Sequence, residues 1–194
     1  MLAAIVRSYH LTDYLEQVIK QFNWIDKVLV VNQKFKGYSE TTDDTEEIVK
    51  NLNQPNVELL KLQPMLEHEG LNTAIKYLKD YKFIFICDAD ELYDEGDTQK
   101  LFELFRSEDT GIDNMGMCHV VEMVGGEQRD RPTNHTPIVI IRPDLEFYYQ
   151  RCAWGTDRVM DITLKHYGYS VKDLDWKIKQ YKNTNREEEI VWKM

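Results

Sequence analysis

Apolar runs alternate with amphipathic segments through the first half of the chain. Leu2-Ala3-Ala4-Ile5-Val6, Lys27-Val28-Leu29-Val30-Val31 and Phe83-Ile84-Phe85-Ile86-Cys87 have no polar face, the pattern of strands buried on both sides. A shorter strand is predicted at Val57-Glu58-Leu59-Leu60, after the break at Pro55. Between these runs, Leu15, Val18, Ile19 and Phe22 line one face of a helix predicted over 13–22, with Asp13 and Glu16 in its first turn. The run Thr41-Thr42-Asp43-Asp44-Thr45-Glu46-Glu47-Ile48 supplies a cap and first-turn acids for a second helix, ending near Asn51. A third amphipathic helix is predicted from Leu71 to Leu78. Strands and helices alternating at this spacing predict a parallel sheet with helices on both faces.

The pattern changes after Glu91. One more helix is predicted over Thr98 to Phe105, and then strand-like runs follow at Met115–Val124, Pro137–Arg142, Phe147–Cys152 and Val159–Leu164 without helices between them. This half is expected to form an antiparallel or mixed extension. A last helix is predicted from Val171 to Tyr181, and the pair Val191-Trp192 in the acidic tail is expected to dock on the core. A chain of 194 residues suits one well-buried domain, read as two halves, 1–95 and 96–194.

Composition narrows the functional classes. With 42% apolar and 30% charged residues, the chain is expected to fold rather than stay disordered. A net charge of −10 argues against nucleic acid as a partner. It does not forbid a small anionic ligand whose charge a metal neutralises. Cys87, Cys118 and Cys152 are odd in number and show no CxxC spacing, so buried reduced thiols in a cytoplasmic protein are expected. Neither a basic leader nor a long apolar run is present, so no signal peptide and no integral membrane segment are expected.

The chemistry concentrates at Asp88-Ala89-Asp90-Glu91, directly after the buried run 83–87. Acids there project from the carboxyl end of a strand, where open α/β sheets bind ligands. Carboxylates one residue apart can share a hard cation, and that cation can grip a phosphate. The expectation is a metal-assisted site for a phosphorylated donor. Other polar clusters read as structural. Asp173-Leu174-Asp175 fits a solvated helix face, and Glu67-His68-Glu69-Gly70 a solvated turn before a helix. Asp43 and Asp44 fit as helix N-terminal acids, stabilising by about 0.3–1 kcal/mol, with a donor contact open for one of them. His10, His68, His119 and His135 read as ordinary histidines. Arg129 and Arg131, in the Gly- and Asp-rich stretch from Gly125 to Asn134, suit a lid and a surface loop equally. Tyr148, Tyr149 and Trp154 read as core residues rather than sugar platforms.

Four segments, taken in order, resemble the family 2 glycosyltransferases. They are Ala4-Ile5-Val6-Arg7-Ser8 through Leu15, then Thr42-Asp43-Asp44-Thr45-Glu46-Glu47-Ile48, then Asp88-Ala89-Asp90-Glu91 as a DxD motif. The fourth is Leu164-Lys165-His166-Tyr167-Gly168-Tyr169, similar to the family's late HxGY segment, followed by Trp176, Lys177 and Tyr181. The resemblance implies a GT-A-type (Rossmann-like) α/β fold: a mostly parallel sheet, helices on both faces and a small antiparallel or mixed C-terminal extension. Residues 1–95 would bind a nucleotide-sugar and 96–194 would form the acceptor side. Asp90 and His166 would hold Mn²⁺ or Mg²⁺, with Asp88 on the metal or on the donor ribose. Arg7, Ser8, Asn32, Asp43, Asp88 and Ala89 would line the donor. The metal would stabilise the leaving diphosphate as a Lewis acid.

Two departures from the family pattern matter. The second strand ends Asn32-Gln33 where the family places an acid on the base, which leaves the identity of the base open. For the general base of an inverting transfer, Asp157 is the first candidate and Glu122 the second. The implied donor is a nucleotide-diphosphate sugar, UDP-linked first, and the acceptor a glycan, lipid, protein or small molecule. A homo-oligomer is left open. Two other classes fit the same acids. One is a haloacid-dehalogenase-type phosphatase, with Asp88 as nucleophile and Asp90 as general acid; the other is a non-catalytic nucleotide-sugar binding module. A nucleotidyltransferase would want a Gly-rich, basic N-terminal loop for a triphosphate, which the first strand's end does not offer.

Overall fold

A computed structural model of the chain describes residues 1–10, 12–35, 43–107, 110–124, 127–130, 137–149, 152–153, 157–167, 170, 172 and 174–177. The first half is a run of parallel strand–helix units: β1 (Leu2–Ser8), α1 (Leu15–Lys20), β2 (Lys27–Phe35), α2 (Thr45–Leu52), β3 (Val57–Met65), α3 (Glu67–Tyr77) and β4 (Phe83–Asp88). Then come β5 (Glu91–Tyr93), α4 (Glu95–Arg106), β6 (Met115–Val124), β7 (Glu127–Asp130), β8 (Ile138–Ile141), β9 (Phe147–Tyr149), β10 (Cys152–Ala153) and β11 (Asp157–His166).

The main sheet has the order β3-β2-β1-β4-β8-β6-β11-β5, with β7 alongside β6. β3, β2, β1 and β4 are parallel to one another. β8 runs antiparallel to both β4 and β6, so β6 points the same way as β4, and β11 is parallel to β6. The carboxyl ends of β1, β2, β4, β6 and β11 therefore share one edge. β9 and β10 form a separate antiparallel pair. This is the expected α/β architecture, a mostly parallel sheet with a mixed extension.

Burial accounts for the apolar runs. Along β4, Phe83, Phe85 and Cys87 enter one core with Leu15, Phe22 and Leu101, while Ile84 and Ile86 enter the other with Leu71, Ile75 and Phe147. A strand covered on both faces has no position for a polar side chain, and acids appear only where it ends. On one side Phe85 meets Trp24 and Phe105 edge-on, at ring separations of 5.6 and 5.1 Å, the favoured aromatic geometry.

The sheet must also curl. Three strands separate β4 from β5 in the order above, about 19 Å of flat sheet at the usual strand spacing. The chain from Asp88 to Glu91 can span only about 10 Å. Curvature closes the gap, and β5 pairs antiparallel with the end of β11, Glu91 opposite His166. The Gln21 amide pins the join, donating to the Glu91 carbonyl at 3.1 Å and accepting the Tyr93 N–H at 3.0 Å.

Several boundaries differ from the pattern-based ones. β3 continues through Pro64 to Met65, which is tolerated because β3 is an edge strand. Helix α3 begins at Glu67, so Glu67-His68-Glu69-Gly70 is its first turn rather than a loop; the Glu69 carboxylate accepts the Leu66 N–H at 2.9 Å and closes that turn. β5 and β7 are too short and polar to show a period. Tyr148 is 43% exposed, a correction to its core reading. Cys87 and Cys118 are buried thiols, and the Cys87 thiol donates to the Glu91 carbonyl at 3.3 Å. Of the last predicted helix only 174–177 are described as helical. Trp154, Arg131, His135, Asp173 and Val191-Trp192 lie outside the described residues.

Candidate functional site

The acids after β4 are held by bonds to three other elements. The Ala89 N–H donates to the Arg7 carbonyl at 2.9 Å and extends the β1–β4 pairing past its end. The buried Glu91 turns back to accept the Asp88 N–H at 2.7 Å. The Asp90 carbonyl accepts the Tyr167 N–H at 2.8 Å, which ties the turn to the residue after β11. Asp88, Asp90 and His166 thus meet at the sheet's carboxyl edge although 76–78 residues separate the acids from the imidazole in sequence.

Arg7 sits beneath Asp88. Its side chain is 8% exposed and its guanidinium donates to Asp88 Oδ1 at 2.6 Å through Nε and to Glu67 Oε1 through Nη1. A guanidinium flanked by two carboxylates in a low-dielectric site satisfies its own charge and fixes both partners. The family resemblance implies a donor contact for Arg7; in the structure it organises Asp88. Glu67, a solvated-turn residue by sequence pattern, is the second anchor of this arginine.

Asp90 is 6% exposed. Its Oδ1 lies 3.6 Å from His166 Nε2, and its Oδ2 accepts from the Lys177 ammonium. Burial pushes the Asp90 carboxyl up, but the Lys177 ammonium and His166 outweigh it and hold the group below its ordinary value. Among the described residues no three His, Cys, Asp or Glu side chains converge on a common point able to hold a metal. Asp90 and His166 are nevertheless close enough for two ligands of one ion. A Mg²⁺-type ion is commonly held by one or two protein ligands, with substrate phosphates and water completing its shell. The pair fits such an ion.

A second group of bonds orders the end of β1 and the Asn32 position of β2, a strand that runs on to Phe35 rather than ending at Asn32-Gln33. Asp43 Oδ1 accepts from the Thr45 hydroxyl at 2.7 Å, and from the Thr45 and His10 N–H groups at 3.2 Å each. Asp43 Oδ2 accepts from the Asn32 amide. The Ser8 and Thr45 hydroxyls are 2.8 Å apart. Asp43 is therefore a cross-link between the loop before α2, the residue His10 after β1 and the interior of β2. Asn32, standing where the family places an acid, meets a carboxylate supplied from that loop. His10 has a positive φ of 64°, uncommon for a non-glycine residue, and its ring lies 4.6 Å from that of Trp176.

The two candidates for the base fall at opposite edges. Asp157 starts β11, opposite Met115, whereas His166 ends it, opposite Glu122. β11 is irregular between Val159 and Thr163, and the matching stretch of β6, Met115 to Glu122, spans seven residue steps, about 23 Å, so Asp157 is not brought to this site. Glu122 is, in backbone register with His166 on one side and with Arg129 of β7 on the other. Lys177 and Glu67 are what residue patterns alone do not place at the acids. A Lys eleven positions after the late His is a faint signal, and Glu67 carries none.

The family model for glycosyl transferase family 2 matches residues 10–162. No curated protein matches the sequence. Among solved structures, S. aureus TarS in complex with UDP-GlcNAc is 17% identical, with a TM-score of 0.49 over 68% of this chain and 37% of that one. The mannosyltransferase PcManGT from Pyrobaculum calidifontis, in complex with GDP-Man and Mn²⁺, is 17% identical, with a TM-score of 0.47 over 73% of this chain and 44% of that one. The chain thus spans less than half the length of either. A 4-diphosphocytidyl-2C-methyl-D-erythritol synthase from Anaerococcus prevotii is 9% identical, with a TM-score of 0.51 over 96% of both chains; that likeness supports the fold.

Proposed function

The chain belongs to glycosyl transferase family 2, and we propose that it moves a sugar from a nucleotide-diphosphate donor to an acceptor hydroxyl with inversion. What supports this reading most is the Asp90 carboxylate beside the His166 imidazole, 3.6 Å apart at the carboxyl edge of the sheet. These two residues would hold a divalent cation, Mn²⁺ or Mg²⁺, with the imidazole favouring Mn²⁺. Bound there, the ion supplies Lewis-acid stabilisation of the diphosphate leaving group.

The remaining steps belong to the chain's own residues. Arg7 fixes Asp88 through its Nε, and Asp88 would contact the ion or the donor ribose. Ser8, Asn32 and Asp43 shape the pocket for the base, the amide of Asn32 being fixed by the Asp43 carboxylate. UDP is the first nucleotide to test. Glu122, next to His166 in register, is the base that takes the acceptor proton.

The test is calorimetric titration with UDP, GDP, CDP and dTDP, with and without Mn²⁺, on the native chain and on Asp90→Asn and His166→Ala. One nucleotide binding only with metal, and losing at least about tenfold in affinity (about 1.4 kcal/mol) in both variants, is the expected result. Absence of nucleotide binding, with hydrolysis of phosphate esters through an aspartyl-phosphate on Asp88, would overturn the reading in favour of a phosphatase.

A further inference from the structure

The two acids of the DxD turn are each neutralised by a cation of the chain, but in different ways. Arg7 is buried, lies on β1 and holds both Asp88 and Glu67, so it is built into the sheet. Lys177 lies at the end of the described helical residues 174–177, far along the chain, and reaches Asp90 Oδ2 with its side chain 18% exposed. That segment is seated across the crevice. The Trp176 ring lies 4.6 Å from His10 and 6.2 Å from Tyr9. Just before it, the Ser170 hydroxyl donates to the Met123 carbonyl at 2.8 Å and the Lys172 N–H to Asp13 Oδ2 at 3.0 Å. The ammonium is delivered to Asp90 by packed neighbours, not by chance reach.

A buried carboxylate is costly unless a positive charge accompanies it, and with no divalent ion bound Lys177 meets that need. An ion coordinated by Asp90 lies about 2.0–2.6 Å from a carboxylate oxygen. An ammonium touching the other oxygen would then be only about two contact lengths from it. In a partly buried crevice such like charges repel far more than in water, so both cannot hold Asp90. A diphosphate carried by the ion brings anionic oxygens to the place the ammonium vacates. Resting on the metal-dependent donor site argued above, we propose that Lys177 is the resident counter-ion of Asp90. A divalent cation displaces it, and the freed ammonium then binds the donor diphosphate. Lys177 thus opposes the bare ion and favours the ion–nucleotide pair.

The experiment measures two affinities by calorimetry on the full chain: Mn²⁺ alone, and UDP at saturating Mn²⁺. The chains are native, Lys177→Met, Lys177→Arg and Asp90→Asn, with circular dichroism as the check of folding and Lys177→Gln in place of Lys177→Met if the latter does not fold. Lys177→Met is expected to bind Mn²⁺ at least fivefold more tightly and UDP at least fivefold more weakly, while Lys177→Arg stays near native in both. Opposite signs are what a merely structural lysine would not produce. If either change is missing while Asp90→Asn still loses Mn²⁺, the exchange is overturned and the metal site stands. If the native chain and every variant fail to bind Mn²⁺, both readings fall.

Discussion

Arg7→Met tests whether the carboxyl edge of the sheet is held together by charge. Methionine keeps most of the apolar stem, so packing against the ends of β1 and α3 changes little. What is lost is the guanidinium that Asp88 and Glu67 share. Stranding a fully buried charge costs about 3–5 kcal/mol, whereas an exposed pair is worth about 0–1 kcal/mol. Arg7 is 8% exposed, but Glu67 is 18% and Asp88 31% exposed, so water reaches the two carboxylates once the arginine is gone. The expected loss is therefore intermediate, about 2 kcal/mol. For a domain of this size that is a drop of about 4–8 °C in Tm. Thermal and urea unfolding in metal-free buffer would measure it on native, Arg7→Met and Arg7→Met/Glu67→Gln chains. The double variant removes one of the stranded charges and is expected to regain about half the loss. A Tm within about 1 °C of native for Arg7→Met would refute the reasoning, since the guanidinium would then be contributing no more than an exposed pair. A double variant no better than the single one would refute it differently, by placing the loss in packing rather than in charge.

Gly70→Ala probes how α3 meets β2. A Cβ there would stand 1.8 Å from Oε1 of the buried Gln33, so the amide must leave its bonds to the Met65 and Leu66 carbonyls at 3.1 and 3.3 Å. Overpacking of about 1–3 kcal/mol outweighs the helix-propensity gain of about 1 kcal/mol, and the chain is expected to melt lower. Gly70→Ala/Gln33→Ala should cost less than the sum of the single changes, and additivity in urea unfolding would refute the contact. Glu58 supplies a pH test. Its hydrogen bonds from Lys27 and then Tyr77 hold its carboxyl below the ordinary value of 4.5. A lowered folded-state pKa gives stability that is present above the unfolded value and lost as pH falls through the folded one. The Tm difference between native and Glu58→Gln chains, worth at most about 1 kcal/mol at this half-exposed pair, is therefore expected at pH 6 and to shrink as pH falls below 4.5. A difference constant across that range would refute it.

The parts of the fold legible in the residues are those with a one-sided physical demand. β1, β2 and β4 are buried on both faces, and an unbroken apolar run of that length has no place but the inside of a sheet. The position of Asp88 and Asp90 follows from the same demand, because acids can appear only where such a strand leaves the core. β5 and β7 are illegible for the opposite reason. They are short, polar and paired through strands whose register no local period marks. Glu67 escapes a composition-based reading because Glu-His-Glu-Gly suits a turn, whereas helix α3 gains its first turn from the Glu69–Leu66 bond and from contact with Gln33 through Gly70. Asp157 is excluded from the site by strand direction. It is at the wrong end of a strand whose other end carries His166, and which end faces the crevice is decided by β11 running parallel to β6.

The electrostatics of the crevice bind these observations together. Asp43, Glu67, Asp88, Asp90 and Glu91 crowd one edge of a chain whose net charge is already −10, and a nucleotide diphosphate is itself an anion. An edge so acidic repels that ligand unless positive charge is brought in locally. Arg7 is already shared between Asp88 and Glu67, and Lys177 lies on Asp90. These two cations are thus engaged in balancing the chain's own acids, and a charge brought in from outside would strengthen attraction for the donor. A divalent ion on Asp90 and His166, as proposed above, would do so twice over, by adding its own charge and by releasing Lys177. On the proposed reading, the same acids that make the metal-free edge hostile to phosphate would make binding of the donor conditional on the metal.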